Sequence, residues 1–183
     1  VCRASEGVSP ILALGQMAVS GLQDIYPSSE AWTAPVMDLA NVIPEDDEER
    51  MNQFVKVLQK QTGSQIAVYT LDSLEGRDPG QVATEMANRW GVGDEAKDNG
   101  VLVLVAVGDR KDFTATGRGL EDVLPDSFVG SLRRKVLVPA FRAGNYGQGL
   151  RQYMYELSLR IVSQEESPPG ELSKDFEALL DLE

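Results

Sequence analysis

The feature that most constrains the fold is an uninterrupted apolar run, Val101–Val107, between two polar loops. A run of Val, Leu and Ala without polar alternation is typical of a central strand covered on both faces. A turn at Gly108–Lys111 and a second strand over Lys111–Thr116 predict an antiparallel hairpin. Such a hairpin returns the chain to the start of its first strand. The loops on either side, 98–100 and 117–126, are therefore predicted to lie at one edge of a sheet.

Helices and strands alternate around this hairpin. Apolar residues at helical spacing, together with Pro, Asp and Gly at the ends, predict four helices, and the last pattern is capped by Asn145. The predicted elements are strand 36–39, helix 44–63, strand 65–71, helix 78–91, strands 101–107 and 111–116, a helix from 126 that Pro139 stops, and helix 145–162. This order specifies an α/β fold, a three-layer α/β/α sandwich with a mostly parallel sheet and one antiparallel edge strand.

The chain divides into one domain and two flanking segments. Residues 1–34 form an N-terminal arm of mixed composition, and residues 35–162 hold the regular pattern. Residues 163–183 are a linker rich in Glu, Ser and Pro, followed by a short C-terminal tail. Apolar residues of the tail recur at helical spacing, so two interpretations stay open: a short docking helix or a frayed end.

Charge and composition exclude several classes of function. The chain carries 17 Lys and Arg against 29 Asp and Glu, a net charge of −12. No nucleic acid is expected as a partner, because a polyanion would be repelled. The chain has no histidine, which excludes the hydrolase arrangements that depend on one and most zinc chemistry. No stretch approaches the ~20 apolar residues of a membrane span, so no membrane-spanning segment is predicted in this chain.

Oxygen-bearing side chains gather at the predicted hairpin edge. Asp98 and Asn99 enter the central strand, and Glu121 and Asp126 follow the edge strand. Carboxylate and amide oxygens without thiol or imidazole suit a hard cation, so the sequence predicts a Ca²⁺ or Mg²⁺ site here. Asp38 is the fifth candidate ligand, and it joins the others only if its strand runs antiparallel. The same residues also suit plain turns and helix starts.

A second crevice competes with this site. Asp38, Asn41, Asp72 and Asp78 follow the carboxyl ends of two predicted strands, where open α/β sheets usually bind ligands. Arg118, between two glycines, suits either bidentate binding of a phosphate or carboxylate or a surface position in a tight turn.

In order and spacing, a set of short motifs resembles the TPM domain, a family of thylakoid, photosystem and membrane-associated proteins found in bacteria and plastids. One of them is Lys97-Asp-Asn-Gly-Val-Leu-Val-Leu104. The resemblance covers about residues 35–162, although Arg118 stands where Gly-Tyr-Gly is common. The motifs are 36–40, 42–44, 61–66, 87–93, 97–104, Arg110, 116–121, 124–126 and 144–149.

The resemblance implies a Rossmann-like sandwich that binds divalent cations and associates with a membrane protein complex. It also implies an extracytoplasmic or plastid location, either the thylakoid or the bacterial periplasm. Some relatives are acid phosphatases, and a plant thylakoid-lumen relative is linked to photosystem repair. Three functions therefore stay open: a cation-binding module of a membrane assembly, a metal-dependent acid phosphatase using Arg118 and Glu121, and a metal-free scaffold that binds through its terminal arms.

Overall fold

The computed structural model describes Pro27 and residues 34–163. Most of the predicted arm and the C-terminal tail lie outside the described residues. A 3-10 turn at Arg118–Leu120 follows the last strand. The strands are β1 (Val36–Asp38), β2 (Gln65–Leu71), β3 (Gly100–Ala106) and β4 (Lys111–Thr116), and the helices are α1 (Glu45–Thr62), α2 (Pro79–Trp90), α3 (Asp126–Lys135), α4 (Leu137–Arg142) and α5 (Tyr146–Val162).

The strands form one sheet in the order β1-β2-β3-β4. Strands β1, β2 and β3 are parallel, and β4 pairs antiparallel with β3. This confirms the mostly parallel sheet with one antiparallel edge. The register pairs Val101 with Thr116 and Ala106 with Lys111. The end of β4 therefore lies beside the start of β3, as the hairpin prediction requires.

Both faces of the sheet are covered. Every residue of β3 is buried, and successive residues enter two different cores. Val101 and Val103 pack with residues of α1, α3, α4 and α5, whereas Leu102 and Leu104 pack with residues of α2. The three-layer sandwich follows from this division, because each face of the sheet needs its own cover of helices.

The two crossover connections have opposite hands. The chain moves in the same direction across the sheet from β1 to β2 and from β2 to β3. Helices α1 and α2 nevertheless lie on opposite faces. Right-handed crossovers on parallel strands would place both helices on one face. One of these two connections is therefore left-handed, which is rare in α/β proteins.

Several helix ends were predicted correctly. Gly63 and Gly91 end α1 and α2 in the left-handed conformation, with φ of 73° and 63°. The Asp78 side chain caps α2 by accepting a hydrogen bond from the Gln81 main-chain N at 2.9 Å. Among the helices of the described part, none combines the length and apolarity needed to cross a membrane.

The predicted effect of Pro139 was wrong. Instead of ending a helix at Val138, Pro139 lies in the first turn of α4, and the break falls at Val136. Proline is tolerated in a first turn because its missing N–H needs no intrahelical acceptor there. The clash between a proline ring and the carbonyl four residues earlier moves the break N-terminal, to Val136.

Candidate functional site

Two loops meet at the amino end of β3. We call residues 97–99 the entry loop and residues 117–119 the exit loop. The Gly117 N donates to the Gly100 carbonyl at 2.8 Å, and the Gly119 N donates to the Asp98 carbonyl at 2.9 Å. The predicted convergence of these loops is therefore present, and main-chain hydrogen bonds hold it in place.

Close packing makes both glycines of the exit loop necessary. A Cβ atom added to Gly119 would lie 1.9 Å from the Lys97 carbonyl oxygen, and one added to Gly117 would lie 2.2 Å from the Asp98 carbonyl oxygen. Neither distance is compatible with a side chain. Main-chain contacts alone join the two loops, so neither the Asp98 side chain nor the Arg118 side chain is needed to hold them together.

The entry loop has an unusual backbone. Asp98 has a φ of 49°, in the left-handed region that Asp and Asn tolerate better than most residues. Asn99 is buried, and its Oδ1 accepts a hydrogen bond from the Asp94 main-chain N at 2.8 Å. The amide oxygen predicted as a cation ligand is thus engaged by the main chain, and in this structure Asn99 shapes the loop.

A cleft of about 760 Å³ opens between α2, β4 and these loops. Three of the predicted ligands line it: Asp98, Glu121 and Asp126. The opposite wall, to which α2 contributes Thr84 and Asn88, was not predicted from the sequence. In the sequence these two residues lie on the polar side of α2. That position points to the cleft only once α2 is known to lie beside β4.

An ion pair crosses the mouth of the cleft. The Arg118 Nε lies 3.0 Å from the Asp98 Oδ2, and the two side chains are 88% and 46% exposed. An exposed pair of this kind contributes at most about 1 kcal/mol. Asp98 can therefore exchange its partner at little cost, and Arg118 can turn to an anion.

Asp38 lies away from this cleft. Because β1 is parallel to β2, Asp38 lies at the carboxyl ends of the parallel strands, whereas the cleft lies at the amino end of β3. Its carboxylate accepts hydrogen bonds from the Thr70 hydroxyl and, at 2.7 Å, from the Ile43 main-chain N. Burial raises the pKa of nearby Glu48, and the charges of Asp38 and Glu45 raise it further. Glu48 lies in the acidic first turn of α1.

Of the other residues of the alternative crevice, Asp78 and Asn41 have structural roles, whereas the Asp72 side chain is exposed. The Asp72 carbonyl accepts a hydrogen bond from the Gly108 N at 2.7 Å, and Asp78 caps α2. Asn41 has a φ of 53°, as expected of a turn. Asp38, Asp72 and Asp78 all lie at the carboxyl edge, separated from Asp98, Glu121 and Asp126 by the length of the strands.

The cleft fits a hard cation in donor chemistry. Its acidic lining groups are carboxylates, the ligand type that Ca²⁺ and Mg²⁺ prefer. Within residues 34–163, however, no group of three or more His, Cys, Asp or Glu side chains is close enough to hold a metal ion. Glu121 and Asp126 are exposed, so core packing does not fix their side chains.

The fold and the carboxylate-lined cleft define a class of protein, an α/β/α sandwich domain with an acidic site at the amino edge of its sheet. The family model of the TPM domain matches residues 36–159. The chain therefore belongs to the TPM domain family, as its motifs indicated.

Solved structures agree with this assignment. The N-terminal domain of a protein from P. gingivalis is 27% identical with a TM-score of 0.67, over 75% of this chain and 93% of that one. The BA42 protein from Bizionia argentinensis is 21% identical with a TM-score of 0.59, over 72% and 95%. The N-terminal domain of a protein from Corynebacterium glutamicum is 14% identical with a TM-score of 0.58, over 75% and 86%. At these identities the last two show the fold alone. A search of curated proteins gave no significant match.

Proposed function

We propose that this TPM domain binds a divalent cation, Ca²⁺ or Mg²⁺, in the cleft at the amino edge of β3. The observation that carries the proposal is the interlocked pair of loops, which fixes the Asp98 main chain while its carboxylate faces a cleft that Glu121 and Asp126 also line. Exposed carboxylates next to a main chain held by hydrogen bonds can supply the oxygen ligands that Ca²⁺ and Mg²⁺ prefer.

Binding requires a change of partner at Asp98. The Arg118 guanidinium now neutralises that carboxylate at 3.0 Å, and a cation would compete for the same charge. Asp98, Glu121 and Asp126 would then hold the cation. Arg118 thus competes with the cation for Asp98. When the cation binds, Arg118 would be released and would place an unpaired positive charge at the mouth of the cleft.

Calorimetric titration of Ca²⁺ and Mg²⁺ into metal-stripped protein tests this proposal. Asp98→Asn is preferable to alanine, because asparagine tolerates the left-handed backbone at this position. We expect Asp98→Asn/Glu121→Gln to weaken binding at least about tenfold, since each loses a charged ligand. Arg118→Gln should strengthen binding.

Two controls sharpen the titration. Asp122→Asn removes an exposed carboxylate beside Glu121 that does not line the cleft, and its affinity should stay within about twofold of the wild type. Asp38→Asn tests the opposite edge. If Asp38→Asn alone abolished binding, the site would belong at the carboxyl edge; saturable binding unaffected by any of these changes would reject the cleft.

We also propose that the domain works beside a membrane protein complex, in the thylakoid or the bacterial periplasm, in photosystem repair or assembly. Family membership supports this, and the acidic surface favours a partner with basic loops. Co-sedimentation with thylakoid membranes, with and without Ca²⁺, tests it. Association should depend on Ca²⁺ and fail for Asp98→Asn/Glu121→Gln. Association that survives both changes would instead favour recognition through the terminal arms.

The exposed Arg118 favours a second function, a metal-dependent acid phosphatase that acts on phosphomonoesters. A bound cation would polarise a phosphoryl oxygen. Water would attack the phosphorus atom and release a proton to solvent as the bond to the leaving-group oxygen breaks, while Arg118 would bind the phosphate bidentately. Because the chain has no histidine, Glu121 would give its proton to the leaving-group oxygen. In this second function Asp98 and Asp126, without Glu121, would therefore hold the cation. Hydrolysis of phenyl phosphate at acidic pH, whose leaving group needs a proton, should be lost in Glu121→Gln and kept in Asp122→Asn. Equal turnover in all three proteins would reject this assignment.

A further inference from the structure

A second cavity lies at the opposite end of β3. It measures about 740 Å³ and is enclosed by the end of β3, the start of β4 and the helices α3, α4 and α5. Cavities of this size hold small organic ligands. It also lies outside the carboxyl end of β3, and open α/β sheets commonly bind ligands outside the carboxyl ends of their strands. This second cavity is separate from the cleft described above.

The cavity is basic, although the chain is strongly acidic. Four of the chain's 17 Lys and Arg residues line it: Arg110, Lys111, Arg133 and Arg142. Asp112 is the one acidic residue of the lining, and it is bonded to Arg133, with Nη2 to Oδ1 at 2.8 Å. Within residues 34–163, the other three cations form no ion pair. Among the described residues, the lining of the cavity therefore carries more positive than negative charge.

Hydrogen bonds to Asp109 hold the turn that carries Arg110. The Asp109 carboxylate accepts hydrogen bonds from the Ser73 hydroxyl at 3.1 Å and from the Leu74 main-chain N at 2.6 Å. Arg110 itself has a φ of 53°, a conformation that is uncommon for a long side chain and is often kept at functional positions. The anchored turn places Arg110 and Lys111 on the cavity wall without further ordering.

An aromatic pair forms another part of the wall. Phe141 and Tyr146 both line the cavity, and their rings stack with centroids 4.8 Å apart and an interplanar angle of 28°. Both side chains are half-buried. A fixed aromatic surface next to guanidinium groups suits a ligand that has both a planar ring and an anionic group.

We propose that this cavity binds a small organic anion that combines a phosphate group with an aromatic ring, the chemistry of a nucleoside monophosphate. Arg110, Lys111 and Arg142 would bind the phosphate. The exposed part of the Phe141–Tyr146 pair would contact the ring. The proposal is independent of the cation cleft, because the two cavities share no lining residue.

Titration of AMP into the protein, followed by amide chemical shifts, tests the proposal. Inorganic phosphate and adenosine are the comparison probes. We expect AMP to bind at least about tenfold more tightly than either, because each probe keeps only one of the two contacts. The largest shifts should fall on the amides of 105–112 and 138–146. Binding should weaken as salt is raised, as expected for charged contacts.

Charge reversal separates the cavity from the general electrostatic field. Arg142→Glu should weaken AMP binding at least about tenfold. Arg134→Glu makes the same change of net charge at an exposed position of α3 outside the cavity, and it should weaken binding less than about twofold. Tyr146→Leu should reduce AMP affinity and leave phosphate affinity unchanged.

Three results would overturn the proposal. They are the absence of saturable AMP binding to the folded protein, equal weakening by Arg142→Glu and Arg134→Glu, and phosphate binding as tight as AMP binding. Circular dichroism of each variant shows whether it is folded, so that a loss of binding can be distinguished from unfolding. Arg142 and Arg134 are exposed and Tyr146 is half-buried, so none of the substituted residues lies in the fully buried cores.

Discussion

Gly119 shows how one residue sets the geometry of the cation cleft. Gly119→Ala would force its Cβ against the Lys97 carbonyl oxygen at 1.9 Å and break the hydrogen bond to the Asp98 carbonyl. We expect the free energy of unfolding to fall by about 1–3 kcal/mol, the usual cost of overpacking. Cation affinity should fall further in the folded variant, since the loops no longer interlock.

Gly130 provides the matched control. It lies inside α3 without a positive φ, and an added Cβ would meet only the end of the flexible Arg134 side chain at 3.6 Å. Gly130→Ala should therefore stabilise the protein by about 0.5–1 kcal/mol, the gain in helix propensity. Urea denaturation of both variants measures the difference. A Gly119→Ala protein as stable as Gly130→Ala would contradict the close packing of the loops.

Tyr153 predicts how stability changes in alkaline solution. It is fully buried, and its hydroxyl lies 2.9 Å from the Thr114 hydroxyl. Burial raises the pKa of Tyr153 from 10.0 to about 12. Above pH 10 the unfolded chain loses this proton while the folded protein keeps it. The contribution is therefore complete below pH 10 and is lost as the pH rises toward 12, by about 2–3 kcal/mol.

The variant Tyr153→Phe isolates this effect from all other titrations. At neutral pH it should be about 1 kcal/mol less stable than the wild type, because it loses the hydrogen bond to Thr114. Between pH 10 and 12 the difference should shrink and change sign. Urea denaturation at a series of pH values measures both. A difference that stays constant across this range would contradict the raised pKa.

At the residue scale, the position of acidic residues within one hairpin was easier to predict than contacts between distant segments. Asp98, Glu121 and Asp126 line one cleft, as expected, because the hairpin that joins them is a local structure. Asp38 lies at the other edge because β1 is parallel to β2, a pairing between distant segments that residue types do not determine. The hydrogen bond to Asn99 likewise depends on a loop geometry that no residue pattern signals.

At the scale of elements, the pair Asp112–Arg133 joins β4 to α3. Two hydrogen bonds link the side chains, and the bond to Asp112 raises the pKa of Arg133. The Asp112 side chain is only 7% exposed, whereas that of Arg133 is 37% exposed. The partners should therefore differ in what their removal costs.

Arg133→Ala should destabilise the protein more than Asp112→Ala does. Removal of Arg133 leaves a buried carboxylate unpaired, at a cost of about 3–5 kcal/mol. Removal of Asp112 leaves an arginine that can reach water, at a cost of about 1–2 kcal/mol. The double variant should be more stable than Arg133→Ala. Thermal and urea denaturation of all three proteins test this order, and equal costs for the two single variants would contradict it.

Elements with strong local signals were predicted, and their spatial arrangement only in part. The apolar run over 101–107 and the capped helices signal their own structure. Pro139 was misjudged because a proline that stops one helix also suits the first turn of the next. The positions of α1 and α2 on opposite faces could not be predicted, since the handedness rule favours a single face and this chain departs from it.

At the scale of the whole molecule, composition conceals the local distribution of charge. The net charge of −12 indicates cations or basic partners, and the acidic cleft agrees with that indication. The same number hides the basic cavity at the other end of the sheet, whose lysine and arginines come from the β3–β4 turn, the start of β4 and two helices. Their convergence follows from the packing of α3 and α4 beside the β3–β4 hairpin, which residue counts cannot reveal.

The two proposed sites should be almost independent of each other. They lie at opposite ends of β3, a strand of seven residues that spans roughly 20 Å, whereas the Debye length at physiological ionic strength is about 8 Å. Saturating Ca²⁺ should therefore change the affinity for AMP by less than about twofold. Ca²⁺ should increase the affinity for AMP, and this increase should become larger as the salt concentration is lowered. AMP titrations with and without Ca²⁺ measure this, and Asp98→Asn/Glu121→Gln corrects for binding of Ca²⁺ to AMP in solution. A change greater than about fivefold in the wild type alone would mean that the sheet transmits a structural change between its two ends.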